Sequence, residues 1–171
     1  MAKEFLLVDG YNMIHAWKEL KELVEVSLES ARQKLLDILS NYQGSQKMQI
    51  IVVFDGYLVK GNLGTVYQYH NISVVYTKEA ETADHFIERT VHGLPRHYKV
   101  SVATSDGLEQ MIILGQGAER ITAQQLRSRI LSAEKNIRTK YIENRPPKNN
   151  ILADNIDKEA LEWIEALRRQ K

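Results

Sequence analysis

The sequence predicts an α/β fold: an open, mainly parallel sheet with helices on both faces, followed by C-terminal helices. Three observations carry this. Short apolar or β-branched runs alternate with segments of helical period; four of the runs lead into an acidic turn; and beyond Thr122 the pattern is helical alone. Strands alternating with helices in this way imply right-handed βαβ crossovers, which place parallel strands side by side and helices above and below them.

Glu4–Val8 is a short apolar run closed by Asp9-Gly10, a strand and then a turn. A long helical region follows. From Leu28 the apolar positions Ala31, Leu35, Ile38, Leu39 and Tyr42 recur at three- and four-residue spacing, the stripe of a helix packed on a sheet, and Gly44 ends it. Met48–Phe54 is a continuous β-branched run, expected of a central strand buried on both faces, and Asp55-Gly56 closes it. Tyr57–Tyr69 has no clear period and is expected to be a flexible loop. Ile72–Tyr76 is the third predicted strand; Thr77–Glu81 leads into a helix over Ala83–His92. Val100–Thr104 is the fourth, with Ser105-Asp106-Gly107 turning into a helix through Met111 and Leu114, and a short fifth strand is expected near Arg120-Ile121.

After Thr122, Leu126, Ile130, Ala133, Ile137 and Tyr141 form one apolar stripe, with most of the basic residues lying off it. Arg145-Pro146-Pro147-Lys148 breaks this helix. A last helix begins near Asp157, with Leu161, Ile164 and Leu167 as its docking face. The chain therefore divides into a core over residues 1–122 and a helical extension over 123–171 packed on the same domain.

Composition limits the chemistry. A chain of 171 residues can bury a real core but holds no second catalytic domain of ordinary size. With no cysteine there are no disulfides and no thiolate ligands or nucleophiles, which fits a reducing, cytoplasmic location. The apolar runs fall far short of the ~20 residues a membrane span needs, and the N-terminus has no cleavage pattern of a secreted protein. No nucleophile elbow and no phosphate-binding Gly-rich loop is present. The net charge of +1 is unevenly spread. Arg127–Lys148 holds seven basic and two acidic residues, a local +5 that leaves −4 on the remainder. One surface suited to a polyanion and another suited to cations would give that asymmetry.

The acidic turns supply the second of those surfaces. In open α/β sheets the functional crevice lies beyond the carboxyl ends of the strands, where parallel pairing would gather Asp9, Asn12, Asp55, Glu81, Asp84 and Asp106. Each alone reads as a turn, an N-cap or a solvated first helical turn; together they read as a site for a hard divalent cation. Oxygen donors without Cys, and without a His pair at ligand spacing, favour Mg²⁺ or Mn²⁺ over zinc. A common use of such a site is the cutting of a phosphodiester. His15, His70, His92 and His97 have no spacing that suggests a ligand set.

These residues resemble a known family. Asp9-Gly10-Tyr11-Asn12 after an N-terminal strand, Phe54-Asp55-Gly56, Glu81-Thr82-Ala83-Asp84 opening a helix, and Ala103-Thr104-Ser105-Asp106 look like the NYN domains of the PIN-like and FLAP-nuclease-like nucleases. Over nearly its whole length the chain is most similar to the YacP group of bacterial NYN proteins. The resemblance implies a metal-dependent endoribonuclease with Asp9, Asp84 and Asp106 as principal metal-binding acids and Asn12 as an amide beside them. Asp55 and Glu81 are inner ligands or outer-shell groups. It further implies a ribosome-associated enzyme of Gram-positive type that cuts mRNA during translation. The expected partners are mRNA and the aminoacyl-site region of the large ribosomal subunit, with the chain itself a monomer.

Phosphate contacts come from Arg and Lys, and aromatic rings stack unpaired bases. Candidates for RNA binding are Arg127, Arg129, Lys135, Arg138, Lys140, Arg145 and Lys148, with Lys60 in the loop beside Tyr67 and Tyr69. An ordinary solvated helix face accounts for the helical set equally well. Two other classes compete: a non-catalytic RNA- or ribosome-binding adaptor, and a small-molecule phosphohydrolase, whose usual DxD motif is absent at Asp9-Gly10-Tyr11.

Overall fold

The computed structural model describes residues 3–56, 63–105, 117–143 and 158–169. The described chain runs β1 (Glu4–Asp9), α1 (Gly10–Ala16), α2 (Lys18–Val24), α3 (Leu28–Gly44), β2 (Met48–Phe54), β3 (Thr65–Tyr69), β4 (Ile72–Tyr76), α4 (Ala83–Gly93), β5 (Lys99–Ala103), β6 (Glu119–Ile121), α5 (Ala123–Glu143) and α6 (Lys158–Arg169). The strands form one sheet in the order β3-β4-β2-β1-β5-β6. All neighbours pair in parallel except β3 with β4. The fold class is thus the α/β arrangement the sequence predicts.

Alternation along the strands divides the core between two faces. Leu6, Val8, Ile50, Val52 and Phe54 point to the face covered by α1, α2, α3 and the start of α5. Phe5, Leu7, Ile51, Val53 and Val102 point to the face covered by α4 and α6. β1 and β2 are apolar on both faces because both faces are covered, which is why their sequences show no polar alternation.

Three expectations need correction. The region expected as a loop over Tyr57–Tyr69 contains β3, an edge strand paired antiparallel with β4; Tyr67 faces Val74 and Tyr69 faces Ile72. Its polar, half-exposed residues hid it. The long helical region before Gly44 is three helices, with Trp17 separating α1 from α2 and Ser27 capping α3 through Ser30 N–H. The apolar stripe of α5 is buried only in its first half: Leu126 and Ile130 are in the core, whereas Ile137 and Tyr141 are exposed, with Tyr141 at 65 %. The helix predicted through Met111 and Leu114, the Arg145–Lys148 linker and Leu161's docking role lie outside the described residues.

Candidate active site

β1 lies between β2 and β5, so its carboxyl end is the middle of the sheet edge. The register pairs Asp9 with Val53 and Val8 with Ala103. The chain exits of all three strands therefore lie abreast, with Asp9, Asp55 and Thr104-Ser105 at one edge. Asp9 is the last residue of β1 and is nearly buried; alternation places it on the same side as α4. It also caps α1, its carboxylate accepting from Asn12 N–H at 3.4 Å, where the helix N-terminus favours negative charge.

The turn into α1 is possible only because residue 10 is glycine. A Cβ there would lie 2.4 Å from Cε1 of Phe54, the fully buried last residue of β2. Close approach of α1 to β2 thus sets where Asp9 points.

Side-chain bonds tie the neighbouring exits together. Asn12 Oδ1 accepts from Ser105 N–H at 2.9 Å, joining the first turn of α1 to the exit of β5. Thr77, buried just past β4, accepts from Gly56 N–H at 2.8 Å through Oγ1, and its own N–H donates to Phe54 O at 3.1 Å. Buried Thr104 donates its N–H to Ile121 O at 3.1 Å. Buried polar groups need such partners, and here the partners belong to adjacent strand exits. The sequence reading gave neither Thr77 nor Thr104 a role, although Thr104 stands in the Ala103-Thr104-Ser105-Asp106 segment; for Thr77 a lone threonine immediately after a buried strand was the only signal.

Asp84 is half-buried in the first turn of α4, which Thr82 caps by accepting from His85 N–H at 3.2 Å. α4 packs Ala83, Phe86 and Ile87 against Val53 and Leu7, so its N-terminus comes to the side of the edge that Asp9 faces. Asp55 is half-buried directly beyond β2. Glu81 is bonded to Arg89 at 2.6 Å, and the same guanidinium bonds Leu167 O of α6 and lies over the Phe86 ring at 5.4 Å. Asp106 lies outside the described residues. Among the described residues no three His, Cys, Asp or Glu side chains group as a metal site. The acids that do share this edge are hard oxygen donors, which suit Mg²⁺ or Mn²⁺.

The basic candidates separate into different environments. Arg127 is ion-paired with Glu19 and lies over the Trp17 ring at 5.3 Å, locking α5 to α2; its Nη1 is buried without a partner. Trp17 adds a 2.9 Å bond from its indole N–H to Ala123 O. Arg129 pairs with Glu119 at 3.2 Å, which holds that carboxyl below its ordinary range. Lys135, Arg138 and Lys140 are exposed on the outer half of α5. Lys60, Arg145 and Lys148 lie outside the described residues. His15, His70, His92 and His97 are all exposed, on separate elements.

One cluster at the edge was not foreseen as a unit. Tyr11 meets Phe54 edge-on at 5.1 Å, Phe54 stacks on Tyr76 at 5.2 Å, and Tyr76 is parallel to Tyr67 at 6.2 Å. Arg32 of α3 donates to Tyr11 Oη at 3.0 Å. Burial works against its charge, but Tyr11 and the nearby groups hold its pKa above the ordinary value. Burial, with Tyr67 close by, pushes the Tyr76 phenol up to about 12.

Comparison with known proteins agrees with this fold. Residues 6–169 match the family model of the YacP-like NYN domain. The chain is 41% identical to the uncharacterized protein YacP of Bacillus subtilis over 169 residues, 97% of each chain. Two crystal structures of Rae1 (YacP) from Bacillus subtilis share the fold. One superposes with a TM-score of 0.69 at 40% identity, covering 96% of this chain and 94% of that one. The other, of a point mutant, gives a TM-score of 0.71 at 35% identity over 95% of this chain and 98% of that one.

Proposed function

The chain belongs to the YacP-like NYN domain family, a nuclease-like family, and from that premise we propose that it is a divalent-metal-dependent endoribonuclease that cuts mRNA on the translating ribosome, near the aminoacyl site. The observation that carries the reading is the position of Asp9. It ends the central strand, between the exits of β2 and β5, and shares its side of the edge with the first turn of α4.

Asp9 and Asp84 are the described residues that would hold Mg²⁺ or Mn²⁺, with Asp106 completing the set and Asp55 beside it. A bound divalent ion there would activate a water and offset charge on the phosphate. The remaining work falls to the chain. Asn12 fixes the Ser105 backbone at the β5 exit; Thr77 keeps the Asp55-Gly56 turn against β4. Glu81 would act as an outer group, bonded to Arg89, whose guanidinium also holds Leu167 O of α6. On α5 the exposed Lys135, Arg138 and Lys140 would meet phosphates, while Arg127 is held by Trp17 and Glu19. No described helix is long and apolar enough to cross a membrane; work on translating mRNA places the protein in the cytoplasm.

The test is cleavage of a translated reporter mRNA by the purified chain with Mg²⁺ or Mn²⁺, with the 5′ ends mapped. Asp9→Asn, Asp84→Asn and Asp106→Asn should each abolish the cut, as should EDTA. Cutting by Asp9→Asn at the wild-type rate overturns the site. Equal cutting of naked RNA overturns the ribosome-dependent part, and binding indifferent to EDTA with no cut product would make the protein an adaptor.

A further inference from the structure

We propose that Tyr67, Tyr76 and Arg32 form a track for the unpaired nucleotides that flank the scissile phosphate. This rests on the endoribonuclease reading above and names the residues that seat the RNA beside that site. Tyr76 ends β4 and Phe54 ends β2, while Tyr11 follows β1, so the ring row runs along the same sheet edge as Asp9. It lies on the α3 side, whereas strand alternation sends Asp9 to the α4 side. A strand laid across the edge therefore meets the carboxylates on one side and the rings on the other.

The members differ in what they can still do. Phe54 is fully buried and serves as the floor. Tyr69, on the same face of β3 as Tyr67, is occupied: its hydroxyl bonds Asp37 and Gln33. Tyr67 ends the row with 36 % of its surface exposed. An exposed ring continuing a stacked row can take a base, because every base has a π-face and stacking is tolerant of sequence. Arg32 supplies the charge. Its guanidinium is held by the hydroxyl of Tyr11, the ring that begins the row, and a planar fork suits a phosphate. A row of rings with a cation beside it is an arrangement that holds single strands; duplex RNA keeps its bases stacked inside and offers no free face.

The experiment measures binding of a fluorescently labelled, unstructured oligoribonucleotide to the full-length protein by anisotropy at low salt. EDTA is present, so neither cleavage nor metal bridging contributes; a hairpin of equal length serves as the duplex probe. Tyr67→Ala should weaken the single strand by on the order of tenfold, the size of one lost base stack, and leave the hairpin unchanged. Tyr67→Phe should restore wild-type binding, and Arg32→Gln should weaken the single strand while reducing its salt dependence. Unchanged affinity in Tyr67→Ala, an equal loss on both probes, or no wild-type binding to the single strand overturns the track. The catalytic reading is judged separately, by whether added Mg²⁺ or Mn²⁺ yields cut mRNA on ribosomes: cutting without a Tyr67 effect removes only the track, and a Tyr67 effect without cutting removes only the nuclease.

Discussion

Gly10→Ala sets two physical effects against each other. Gly10 is the first residue of α1, and alanine is favoured over glycine inside a helix by as much as about 1 kcal/mol, so propensity alone expects a more stable protein. The tertiary contact expects the reverse. The new Cβ would stand 2.4 Å from Cε1 and 2.6 Å from Cδ1 of Phe54, against a carbon contact distance of about 3.5–4.0 Å. One side must therefore move by more than 1 Å, roughly the difference between those distances. The Phe54 ring has nowhere to go, being fully buried and held between Tyr11 at 5.1 Å and Tyr76 at 5.2 Å. Overpacking of this kind costs about 1–3 kcal/mol. Net of the helix gain, Gly10→Ala should lose about 1–2 kcal/mol, a fall in Tm of about 2–8 °C for a domain this size. Differential scanning calorimetry reads it directly. Pairing the change with Phe54→Leu should recover at least about 1 kcal/mol in a double-mutant cycle, since the two groups touch. A Tm for Gly10→Ala equal to or above wild type would refute the argument that this contact fixes the turn carrying Asp9.

Other outcomes follow from single contacts. Glu81→Gln should cost about 1–2 kcal/mol, because it weakens a charged hydrogen bond, and should raise hydrogen exchange in α6 through Arg89 and Leu167 while metal-dependent cleavage stays near wild type; a loss of cleavage matching that of Asp9→Asn would return Glu81 to the ligand set. Asn12→Ala removes the acceptor for Ser105 N–H and should lower stability by about 1 kcal/mol and cleavage far more; cleavage at the wild-type rate would show that the β5 exit is held without it. Tyr69, raised chiefly by its bond to Asp37, and Tyr76, raised chiefly by burial, should both ionise near 12 in an absorbance titration. Both lie above the unfolded value near 10, so their share of stability is full below pH 10 and is lost as pH rises toward 12. Asp37→Asn should bring Tyr69 back toward 10, and an unchanged Tyr69 titration would exclude that bond as the cause.

The sequence by itself determined the central strands, the helix over Leu28–Gly44 and the acidic turns that follow β1 and β2. Those features are written in local patterns. Strands buried on both faces are continuous apolar runs, a sheet-covering helix repeats every three to four residues, and an acidic turn directly follows its strand. What depended on distant partners was decided by the tertiary structure. β3 has a polar, half-exposed sequence and is a strand only because β4 pairs with it and Asn71, at the turn between them, is bonded to Ser40 and Gln43 of α3. The outer half of α5 carries the same apolar period as its inner half, yet the sheet ends before reaching it, and Ile137 and Tyr141 stay exposed. Glu81 and Asp84 lie three residues apart and read alike as candidate ligands. Only the fold gave Glu81 to Arg89 and brought Asp84 to the side that Asp9 faces. Charge and spacing nominate a carboxylate, and the fold decides which partner reaches it across the chain.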